Sequence, residues 1–93
     1  MGFGSNNDSI IYTLGGDICG KLNRYDEALS YWDKAVELDN TCLDAKYSKL
    51  NYYAQIGEKE KCKNISIEIV QELKKMGLDI EAEAEENRLK NLT

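Results

Sequence analysis

Apolar residues recur along this chain at helical spacing. Tyr25, Ala28, Leu29, Trp32, Ala35 and Val36 stand at i, i+3, i+4, i+7, i+10 and i+11, with Asp26, Glu27, Asp33, Lys34 and Glu37 between them. One apolar stripe and one charged face predict a helix from Tyr25 to Leu38. Upstream, Ile11, Leu14, Gly15 and Ile18 form a stripe on a helix expected from about Ser9 to Lys21, with Asp8 or Ser9 as its N-cap. Residues 1–8 then read as a flexible lead-in. Gly15, Gly16 and Gly20 each cost that helix about 1 kcal/mol relative to Ala, so packing has to hold it. Leu43, Tyr47, Leu50 and Ala54 mark a third stripe, ended by Ile56-Gly57; Cys62, Ile65, Ile69, Leu73 and Met76 mark a fourth, ended by Gly77. A last segment, Asp79 to Leu92, has an acidic first half that suits the positive end of a helix dipole. Its apolar set is thin (Ile80, Ala82, Ala84, Leu89 and Leu92), as in a terminal cap.

Composition narrows the class. Ninety-three residues with no proline, 42% hydrophobic and 31% charged, give one all-α folded domain rather than a sheet or a disordered chain. Twelve basic against 17 acidic residues leave a net charge of −5, which repels nucleic-acid phosphates and anionic lipid, so neither is an expected partner. There is no histidine, which removes imidazole-based triads, His-containing zinc sites and His-ligated haem. Cys19, Cys42 and Cys62 form no C-x-x-C and lie on or beside apolar stripes, so they read as buried thiols of a reducing cytoplasm. The sequons at Asn7, Asn64 and Asn91 read as chance occurrences. No signal peptide and no run of 18 apolar residues is found.

Candidate chemistry is sparse. Asp26, Glu27, Glu58, Glu60 and Glu81 to Glu86 fall on polar faces, where a solvated charge is the default, and no EF-hand loop is present. Gly15-Gly16 and Gly20 follow no strand and lead to no G-x-x-x-x-G-K-[ST], so close helix packing explains them better than phosphate binding. The expectation is no catalytic residue, no metal and no cofactor.

The two hairpins repeat at about 34 residues: Ile56-Gly57 lies over Leu22-Asn23, Cys62 over Ala28 and Ile69 over Ala35. The run Asn23-Arg24-Tyr25-Asp26-Glu27-Ala28-Leu29-Ser30-Tyr31-Trp32-Asp33-Lys34-Ala35-Val36-Glu37-Leu38-Asp39 resembles the second helix of a tetratricopeptide repeat (TPR). In that resemblance Ala28 and Ala35 match the small positions that let two helices approach, and Trp32 matches the large aromatic. Ile11, Leu14, Gly15 and Ile18 are similar to the first-helix pattern. There are departures: an extra residue near Gly20-Lys21, Asn40 in place of the usual Pro, and Ser66 where the aromatic belongs. The resemblance implies a right-handed α-α superhelix of two TPR hairpins, residues 9–42 and a divergent 43–76, with a capping helix over 77–93.

It also implies a scaffold for protein–protein interaction. First helices of such hairpins line a concave face, where Tyr12, Thr13, Asp17, Ser48, Asn51, Tyr52 and Gln55 are the candidate partner-binding residues. The partner is a peptide or helix of another protein, and the acidic balance favours Lys or Arg at its rim. The two-carboxylate clamp known in the family is not expected, because its first-helix positions hold Tyr12 or Thr13 and Gly16 or Asp17, leaving Asn51 as a partial match. The alternative is structural self-assembly, with a homodimer formed through exposed repeat ends or helix exchange. A third reading is that these residues are one piece of a longer repeat protein.

Overall fold

In the computed structural model, which describes the backbone over residues 3–91 and side chains from residue 8 to 91, the order of elements is α1 (Phe3–Lys21), α2 (Tyr25–Leu38), α3 (Leu43–Gln55), α4 (Lys59–Lys75) and α5 (Asp79–Asn91). Among the described residues all regular structure is helical. Helix α2 has the bounds the stripe predicts. Helix α1 does not: it begins at Phe3, so most of the segment read as a flexible lead-in is helical, and Asp8 and Ser9 sit inside the helix rather than capping it. Leu92, assigned to the last stripe, lies outside the described residues.

Three helix ends share one turn. Asn23 (φ 62°), Gly57 (φ 78°) and Gly77 (φ 77°) adopt the left-handed conformation. After each, the next amide reaches back five residues: Arg24 N to Cys19 O at 2.8 Å, Glu58 N to Tyr53 O at 2.9 Å, and Leu78 N to Leu73 O at 2.9 Å. This Schellman arrangement satisfies last-turn carbonyls; glycine enters the left-handed region without steric cost, and asparagine tolerates it. The α2–α3 connection is different. There Asp39 Oδ1 accepts from Thr41 N (3.0 Å) and Thr41 Oγ1 (2.6 Å), a side-chain turn between the two helices.

The chain divides into two compact units, Met1–Lys49 and Leu50–Thr93. In the first, α1 packs along α2, and Cys19, Ala28, Trp32, Ala35, Cys42 and Ala45 are buried. Trp32, at 4% exposure, is an interior residue. The α1 stripe, however, faces the other way from expectation. Ser9, Thr13, Gly16 and Cys19 are buried, while Ile11, Leu14 and Ile18 lie mostly in solvent. The reason is distance. A Cβ on Gly16 would stand 2.5 Å from Cδ1 and Nε1 of Trp32, so only the small-residue side of α1 can approach α2 this closely.

In the second unit α4 carries the core: Cys62, Ile65, Ile69, Val70 and Leu73 are buried, and α5 packs on α4. Burial pushes the Cys62 thiol above its ordinary pKa, helped by the Glu58 carboxylate. Among the described residues of the expected α5 stripe only Ala82 is fully buried; Leu89 is half-buried and Ile80 is 83% exposed. An exposed ion pair from Lys74 to Glu86 (3.4 Å) also links α4 to α5, where such pairs contribute less than about 1 kcal/mol.

Candidate interaction surfaces

In the first unit the sequence singled out Tyr12, Thr13, Asp17 and Ser48 as partner contacts. The structure turns three of them inward or to each other. Thr13 is buried; its hydroxyl donates to Ser9 O at 2.8 Å, one turn back, and lies 3.5 Å from Cys42 Sγ. Asp17 Oδ1 accepts from Trp32 Nε1 at 3.0 Å and from Ser48 Oγ at 2.8 Å. One carboxylate oxygen thus ties α1 to α2 and to the first part of α3. A bond to an ionised acceptor is worth about 1.5–3 kcal/mol, which makes this clip a strong polar link. Asp17 and Ser48 are therefore brought together as a positioning pair. Tyr12 remains half-buried on the surface, its ring 6.0 Å from that of Tyr31 in a tilted pair.

In the second unit Asn51 and Gln55 are exposed and Tyr52 is half-buried. Tyr52 and Tyr53 make a tilted pair with centroids 5.4 Å apart, and the Lys61 ammonium sits 5.1 Å over the Tyr53 ring. This is a cation–π contact across the turn between α3 and α4.

Sequence reasoning missed two features. Tyr53 and Lys61 come together only because the tight turn at Gly57 folds α4 back on the end of α3; no periodic pattern connects them. Ile10 joins Ile11, Leu14 and Ile18 on the outer side of α1, which the stripe analysis had assigned to the core, and Leu22, just past the end of α1, is exposed as well. The signal for the second was in the chain: Ser9, Thr13, Gly16, Cys19 and Gly20 also recur at helical spacing, as a small-residue face.

No helix of the described residues is long and apolar enough to cross a membrane, and none of their His, Cys, Asp or Glu side chains gather in threes to hold a metal ion. Comparison with protein-family models, with curated proteins and with solved structures finds no match to this chain.

Proposed function

We propose that the chain is a tetratricopeptide-repeat-type interaction module, two hairpins and a capping helix wound as a right-handed superhelix, which holds a peptide or helix of a partner protein and performs no catalysis. The observation that carries this reading is a repeat of structure at 34 residues. Asn23 and Gly57 make the same left-handed turn, and the buried positions Ala28, Trp32 and Ala35 recur as Cys62, Ser66 and Ile69. Tandem hairpins of this kind bury one face against neighbours and leave another for ligands. With Thr13, Asp17 and Ser48 engaged internally, Asn51, Tyr52 and Gln55 of the second unit are the contact residues of this reading, and the net charge of −5 favours a basic partner.

The test is selection of a displayed random-peptide library on the immobilised chain. Enriched peptides should carry Lys or Arg, and should lose binding to Asn51→Ala and Tyr52→Ala variants that keep their helical content. No enrichment over an unrelated helical protein of equal charge, or binding indifferent to both variants, overturns the reading. A second reading, self-association, is favoured by a separate observation: the large aliphatic side chains on the outer side of α1.

A further inference from the structure

We draw no further inference here: the strongest candidate, the exposed aliphatic face of α1 formed by Ile10, Ile11, Leu14 and Ile18, is an unpartnered apolar surface, and nothing in the structure shows what covers it.

Discussion

Replacing Gly16 by alanine sets two effects of known size against each other. Alanine favours a helix interior over glycine by about 1 kcal/mol, so at an open site the substitution would stabilise the protein. At Gly16 the added methyl would meet the Trp32 indole at 2.5 Å, and that ring is neither exposed nor free, since its Nε1 donates to Asp17. Overpacking of this kind costs about 1–3 kcal/mol, and displacing the indole adds up to about 1.5–3 kcal/mol for the bond to the carboxylate. The clash wins, with a net loss of about 2 kcal/mol, or a fall in Tm on the order of 10 °C for a chain of this length. Gly20 is the control: a Cβ there finds Trp32 Cη2 at 3.6 Å, an ordinary contact, so Gly20→Ala should gain about 0.5–1 kcal/mol. Gly15 falls between, because its Cβ would sit 3.3 Å from the Tyr31 ring, which is partly exposed and can shift. Urea unfolding followed by Trp32 fluorescence reads all three, Trp32 being the single tryptophan. If Gly16→Ala is as stable as wild type, or equals Gly20→Ala, the account of the α1–α2 contact is wrong.

Other substitutions probe the same framework. Ala28 is fully buried, so Ala28→Phe should destabilise by about 1–3 kcal/mol, and an unchanged melting temperature would refute the close approach. Asp17→Ala removes the shared acceptor and should cost about 2 kcal/mol, whereas Ser48→Ala should cost about 1 kcal/mol; equal effects in urea unfolding would mean the Trp32 bond contributes nothing. For Cys62 the sign follows from its raised pKa. The buried neutral thiol contributes fully to stability below the ordinary thiol pKa, and the contribution is lost as pH rises through the raised value. Alkylation of Cys62, followed by peptide mass mapping at mildly alkaline pH, should accordingly be slower in the native chain than in urea.

The helices themselves were legible because periodicity is a local property. The bounds of α2 follow from its apolar stripe, and the ends of α3 and α4 follow from Gly57 and Gly77, where the backbone turns left-handed. The start of α1 was less legible, since Asp8 and Ser9 look like capping residues until one sees the chain helical before them. The candidate contact residues divided. Tyr12, Asn51, Tyr52 and Gln55 lie at least partly exposed, whereas the polar groups of Thr13, Asp17 and Ser48 are hydrogen-bonded within the protein. A hydroxyl or carboxylate on a helix looks the same in sequence whether its partner is water, a ligand or an indole.

By itself, then, the sequence determined an all-helical chain that has no histidine and carries a net charge of −5. Tertiary structure decided which of two competing faces α1 turns inward. Hydrophobicity favoured the isoleucine and leucine side, yet the distance of approach to Trp32 admits only glycine, serine, threonine and cysteine, and steric exclusion at 2.5 Å outweighs the gain from burying a few aliphatic groups. That choice makes Asp17 a clip to Trp32 and Ser48 and leaves an aliphatic strip on the outside, neither of which can be read from spacing along one helix.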